Sequence, residues 1–301
     1  MDSRNNQSTQ DSLNLWVEEI TQGIVSIRFK VKNHLFTGKS EFQKVDIVDT
    51  YGFGKILLND GLMMLSERDE FSYHDMIAHP ALFVHPNPKR VLVIGGGDGG
   101  TAREVLRHAN VEKCVMVEID KMVVDACIEH IPQTSQVLRG HERLELRIDD
   151  GVKYVKESPD KSFDVILIDS TDPIGPATPL FGKDFYSHVH RILADDGIVV
   201  AQGESPFHNQ DVQQSMLGVM RNFFPKTYIY NFSNLTYPGG LWSFSMASKS
   251  LCPVGDFNPK RVLESDLKFE YYSPAGHKAA FAIPEFQKRS LSGLLTEIKD
   301  C

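Results

Sequence analysis

Four cysteines in 301 residues (Cys114, Cys127, Cys252 and Cys301) stand too far apart to form a CxxC pair. That leaves no disulfide framework and no zinc spacing, and the thiols read as reduced groups of a cytoplasmic protein. His74 and His79 are five apart and do not share a helical face, so a paired-histidine metal motif is missing and no metal is expected. No apolar run approaches the roughly 20 residues needed to span a bilayer. Met1 to Asp11 are polar and lack the apolar core of a signal peptide, so residues 1–12 are expected to form a disordered tail. Excess positive charge is also missing. A net charge of −8 disfavours general binding of nucleic acid or anionic membranes. There is no internal repeat and no low-complexity segment. What remains, at 41% hydrophobic and 24% charged, has the composition of an ordinary globular protein.

Two organisations follow one another along the chain. From about Leu15 to Leu65 the pattern has a period of two, as in Ile24-Val-Ser-Ile-Arg-Phe-Lys-Val31 and Lys44-Val-Asp-Ile-Val-Asp49. Gly52, Gly54 and Asn59-Asp60-Gly61 mark turns, which predicts a small antiparallel β domain over residues 13–66. A helix from Glu67 to His85 follows, closed by Pro86-Asn-Pro88. From Lys89 onward strand and helix alternate, which predicts a mainly parallel, doubly wound α/β sheet with an antiparallel end, within a domain of residues 67–301.

That sheet opens with Arg90-Val-Leu-Val-Ile94 running into Gly95-Gly-Gly-Asp-Gly-Gly100 and a helix. Gly95, Gly97 and Gly100 satisfy G-x-G-x-x-G, a nucleotide-binding turn at the carboxyl end of a first strand. Asp98 is out of place in a phosphate cradle, because such a cradle attracts negative charge with bare backbone N–H groups. A carboxylate there repels pyrophosphate and favours a cationic ligand that carries no phosphate.

Acidic residues recur just past the ends of the following strands: Glu118, then Asp149 and Asp150, then Asp169 and Asp172, then Glu204 beside Gln202. One loop carboxylate is ordinary, and Asp149 or Asp150 would serve as a helix N-cap. Carboxylates after all five strands at one rim repel one another unless a cation sits among them. The loop Asp169-Ser-Thr-Asp-Pro-Ile-Gly-Pro176 is too rich in proline to continue as helix and has the length to cover a ligand.

Several long stretches carry a resemblance. Ser66-Glu-Arg-Asp-Glu-Phe-Ser-Tyr-His-Asp-Met76, Val93-Ile-Gly-Gly-Gly-Asp-Gly-Gly100, Asp169-Ser-Thr-Asp-Pro173, Gln202-Gly-Glu204, Thr236-Tyr-Pro-Gly-Gly240 and His277-Lys-Ala-Ala-Phe-Ala-Ile-Pro284 stand in the order found in the spermidine synthases. The chain resembles that family of polyamine aminopropyltransferases from about Trp16 to Phe286. The resemblance implies a Rossmann-like, methyltransferase-type fold behind an N-terminal β domain, and a homodimer or homotetramer. It implies transfer of the aminopropyl group of decarboxylated S-adenosylmethionine to putrescine, with no resident cofactor, or the same transfer to agmatine or cadaverine. A methyltransferase using S-adenosylmethionine is the rival on the same fold. Carried over by residue, Glu118 would hold the ribose hydroxyls, and Asp150 with Gly151 the adenine. Asp98 and Asp169 would hold the aminopropyl ammonium, with Gln43 and His74 lining the nucleoside pocket. Tyr73, Asp169, Asp172, Glu204, Tyr237 and Trp242 would line the amine channel, Asp169 acting as base or orienter with Tyr73. Met64 departs from the glutamine of many members.

Overall fold

The computed structural model of the protein describes residues 14–171 and 175–298. The tail expected over residues 1–12, and Asp172, lie outside the described residues. The first five strands are β1 (Trp16–Thr21), β2 (Val25–Lys39), β3 (Lys44–Thr50), β4 (Gly54–Asn59) and β5 (Leu62–Ser66), paired antiparallel in sequence order. The predicted period of two is realised: in β3, Val45 and Ile47 point to one buried face and Val48 belongs to the other.

Helix α1 (Glu70–Val84) follows, shorter at both ends than the sequence reading. Pro80 sits inside it, which removes the hydrogen bond that the Met76 carbonyl would otherwise accept. The Tyr230 hydroxyl donates to that carbonyl instead, at 2.7 Å, so the break is repaired from a distant strand. All residues of α1 but Phe71 are buried, polar ones included, and each of those polar groups needs a partner.

The larger sheet contains β6 (Arg90–Gly95), β7 (Lys113–Glu118), β8 (Leu144–Ile148), β9 (Phe163–Asp169), β10 (Leu193–Gln202), β11 (Lys226–Ser233) and β12 (Leu241–Ser248). Their order is β11-β12-β10-β9-β6-β7-β8, with β6 to β10 parallel and β12 antiparallel to both neighbours. Central strands buried on both sides explain the unbroken apolar runs. Val91 and Val93 of β6 enter one core with Met76 and Ile77 of α1, whereas Leu92 and Ile94 enter the other with Val155 and Val189. The connecting helices are α2 (Gly100–Leu106), α3 (Lys121–His130), α4 (Pro132–Ser135), α5 (Gly151–Glu157), α6 (Lys183–Ile192) and α7 (Gln210–Met220). The strand order reverses between β6 and β9, and the crevice beyond their carboxyl ends is where such sheets bind ligands.

The smaller sheet covers that crevice. Val45, Ile47, Leu57 and Leu65 pack on Val123, Ala126 and Cys127 of α3. Two polar bonds fix the same contact, from Ser40 Oγ and Gln43 Nε2 to Asp120 Oδ2 at 2.7 and 3.1 Å. Beyond β9, the proline-rich segment winds into 3-10 turns over Gly175–Phe181, where an irregular loop was expected. Turns this short tolerate proline where a long α-helix would not.

Candidate active site

A cavity of about 180 Å³ lies between the two sheets. Its floor is the glycine turn. Gly95 (φ +80°) passes so close to β9 that a Cβ there would lie 2.1 Å from the Asp169 carbonyl oxygen, and the Gly96 N–H donates to that oxygen at 2.8 Å. A Cβ on Gly100 would lie 2.2 Å from the His74 ring, so α1 and α2 approach there only because the residue is glycine.

Asp169 is held at both oxygens. The Tyr73 hydroxyl donates to Oδ1 at 2.7 Å and the Thr101 hydroxyl to Oδ2 at 2.6 Å. Burial, and then the nearby Asp98 carboxylate, raise the Asp169 pKa above the usual range. Tyr73 is raised well above an ordinary phenol, by burial first and then by Asp169. Its ring also meets Phe244 edge-on at 5.0 Å. Tyr73 thus packs as a core aromatic while its hydroxyl reaches Asp169.

Asp98 Oδ1 accepts from the Gly100 N–H at 2.8 Å and lies 3.2 Å from His74 Nε2. His74 Nδ1 lies 2.5 Å from Glu70 Oε2, and Arg103 grips Glu70 with two bonds of 2.9 and 2.8 Å. Burial opposes charge on His74, but Asp98 and Glu70 outweigh it and raise its pKa to about 10. His74 is thus an imidazolium, already compensating Asp98. His74, Asp98 and Asp169 form a group whose nitrogen and oxygen atoms lie within 4.8 Å of one another. A second such group, Asp75, His79 and Glu104, is fully buried, and Asp75 caps the Tyr271 and Tyr272 N–H groups.

Glu118 lines the opposite wall, accepting from the Asp120 N–H at 2.9 Å. Burial raises its pKa to about 7. Asp150 lines the rim, and its Oδ1 caps α5 by accepting from the Val152 N–H at 2.8 Å, so the N-cap reading holds for it beside the site reading. Gly151 also lines the cavity, where a Cβ would lie 2.6 Å from Ile94. Gln43 lines the cavity as well. On the far side Tyr237 packs on Trp242 at 5.0 Å between ring centres, and its hydroxyl donates to the Met64 carbonyl at 2.6 Å.

Glu204, just past β10, is fully buried, with φ +65°. Its carboxylate accepts from Asn209 Nδ2 at 2.7 Å and from Gln202 Nε2 at 3.2 Å, and Gln202 is the residue that faces the cavity. Glu19 and Asn59 are among the lining residues that escaped the sequence reading. Glu19 of β1 is buried and accepts from the Met63 N–H at 2.6 Å. Its only signal is alternation in β1, which turns Val17, Glu19 and Thr21 inward and leaves Trp16, Glu18 and Ile20 exposed. Asn59, at the end of β4, gave no signal beyond a turn.

The family profile described as spermine/spermidine synthase domain matches residues 70–258, and that described as spermidine synthase tetramerisation domain matches residues 15–67. A polyamine aminopropyltransferase of Alkaliphilus metalliredigens is 44% identical over 93% of this chain and 98% of its own length. One from Methanocaldococcus jannaschii is 42% identical over 96% and 99%. A crystal structure of a spermidine synthase in complex with the transition-state analogue AdoDATO superposes with a TM-score of 0.91, at 39% identity over 93% of this chain and 96% of that one. The spermidine synthase of Thermotoga maritima gives 0.88, at 40% identity over 92% and 94%. The chain belongs to the spermine/spermidine synthase family and is an aminopropyltransferase.

Proposed function

We propose that the chain transfers the aminopropyl group of decarboxylated S-adenosylmethionine to putrescine, giving spermidine, methylthioadenosine and a proton. The observation that carries this reading is the Asp169 carboxylate, fixed by Tyr73 and Thr101 at 2.7 and 2.6 Å at the switch point of the sheet. The amine must attack as a neutral base, yet an alkylammonium with a pKa near ~10 has no lone pair at neutral pH. A buried carboxylate whose pKa is raised is a better proton acceptor than one in water, and it also aligns the amine. The sulfonium leaves without acid catalysis, so the remaining task is to hold the two reactants in line. Such approximation is worth roughly 7–11 kcal/mol.

The roles follow the walls of the cavity. Glu118 takes the ribose hydroxyls and Asp150 with Gly151 the adenine. Asp98 and Asp169 face the aminopropyl ammonium, Gln43 and His74 close the nucleoside side, and Tyr73, Tyr237 and Trp242 border the amine. The decarboxylated donor suits this site, because a donor carboxylate would meet Asp98 and Asp169. The donor is consumed as a co-substrate. We place the chain in a homo-oligomer built through residues 15–67, whose Trp16, Ile20 and Ile24 are exposed. No described helix is long and apolar enough to cross a membrane.

The test is incubation with decarboxylated S-adenosylmethionine and, in turn, putrescine, cadaverine, agmatine and spermidine, following methylthioadenosine release and product mass. Fastest release with putrescine is expected. Faster release with another amine would reassign the acceptor, and no release with any of them would overturn the reading.

A further inference from the structure

Asn59 stands at the end of β4 with its side chain only 7% exposed, and it lines the cavity. Its carboxamide makes no hydrogen bond to any described residue, and its Oδ1 is fully buried without a partner. A buried amide left unpaired is costly and rare enough to need a reason. The position narrows that reason. Asn59 pairs with Val45 across the sheet, and the next residue, Asp60, is tied to Lys44 by two bonds of 2.8 Å. Lys44 adjoins Gln43, which reaches Asp120, and the Asp120 N–H donates to Glu118. Asn59 therefore lies near Gln43 on the face of the smaller sheet that packs over Asp120 and Glu118. An ionised carboxylate can only accept hydrogen bonds, whereas a carboxamide offers two donors and an acceptor. A ribose hydroxyl that donates to a carboxylate still has lone pairs to be satisfied.

We propose that Asn59 is a binding residue for the nucleoside co-substrate, its carboxamide bonding a ribose hydroxyl that Glu118 holds from the other side. The inference rests on the functional reading above, and deepens it by naming a second ribose contact on the N-terminal sheet. Bound nucleoside satisfies the amide that the free protein leaves unpaired.

The test is calorimetric titration of methylthioadenosine into the full chain and into Asn59→Leu, a swap of similar volume. The variant should bind about 3- to 10-fold more weakly, the worth of one hydrogen bond. Its unliganded thermal midpoint should be no lower than that of the native chain, since an unpaired polar group has been removed. Titration with 2′-deoxy- and 3′-deoxy-methylthioadenosine then reads the coupling. The native chain should lose affinity for at least one of them, and Asn59→Leu should lose markedly less on the same change. Equal binding of methylthioadenosine by both proteins, or equal deoxy penalties in both, overturns the proposal while leaving the functional reading intact. A native chain that binds no methylthioadenosine overturns both.

Discussion

His74 Nε2 lies 3.2 Å from Asp98 Oδ1, which places a buried cation against the acid that makes this glycine turn unusual. Asp98 is one link in a charge chain running through His74 and Glu70 to Arg103. The rim is thus less negative than its carboxylates suggest.

His74 gives the first prediction. Its folded pKa is about 10, above the ordinary histidine value of 6.5, so its stabilising contribution is complete below that ordinary value and is lost as pH rises through about 10. Thermal midpoints of the native chain measured from pH 7 to 10.5 should fall along that course, and those of His74→Gln should fall less. His74→Leu should be destabilised by about 3–5 kcal/mol, because it leaves Glu70 and Asp98 facing an apolar group. Equal slopes in native chain and His74→Gln would show that this pair is not the source.

Under the proposed function, Glu118 is expected to set the pH dependence of nucleoside binding. Its pKa near 7 means that ionisation, which ribose donors favour, is completed just above neutrality. Affinity for methylthioadenosine should rise about tenfold between pH 6 and pH 8, and Glu118→Gln should abolish the rise. The sign for stability is opposite. A raised carboxyl stabilises the fold below its unfolded pKa, and this is lost as pH climbs through about 7. Calorimetric titrations and melts over the same pH range check both signs.

Asp169 and Tyr73 separate through kinetics. Asp169→Asn should lower kcat by about 10²–10⁴-fold, the usual weight of a general base. Tyr73→Phe removes a bond that lowers the Asp169 pKa, so the acidic limb of its rate profile should move to higher pH. Near-normal methylthioadenosine release by Asp169→Asn would end its assignment as base or orienter.

Assembly is testable at β1 and the turn that follows it. Ile20 and Ile24 are 60% and 76% exposed, which is unusual for isoleucine unless covered by a partner. The double variant Ile20→Glu, Ile24→Glu should lower the mass found by light scattering while leaving the melt of the protomer nearly unchanged. An unaltered mass would place the interface elsewhere.

Much of this molecule was legible before folding. β-branched runs bounded by glycine and proline gave the strands of the central sheet, because strands buried on both faces admit few polar residues. Asp98, Glu118, Asp150 and Asp169 were legible as one rim, because parallel strands deliver their carboxyl ends to one side. The repair of Pro80 by Tyr230 was not, since the two lie 150 positions apart and share no pattern.

By itself, then, the sequence determined the doubly wound sheet, the acidic rim and the family, all of which follow from periodicity and local motif. The tertiary structure alone decided that His74 is charged, since its pKa depends on Asp98 and Glu70 from different elements meeting one buried ring. It also brought Glu19 and Asn59 from the N-terminal sheet to the cavity. Those outcomes depend on how two sheets dock, and no residue encodes a docking geometry alone.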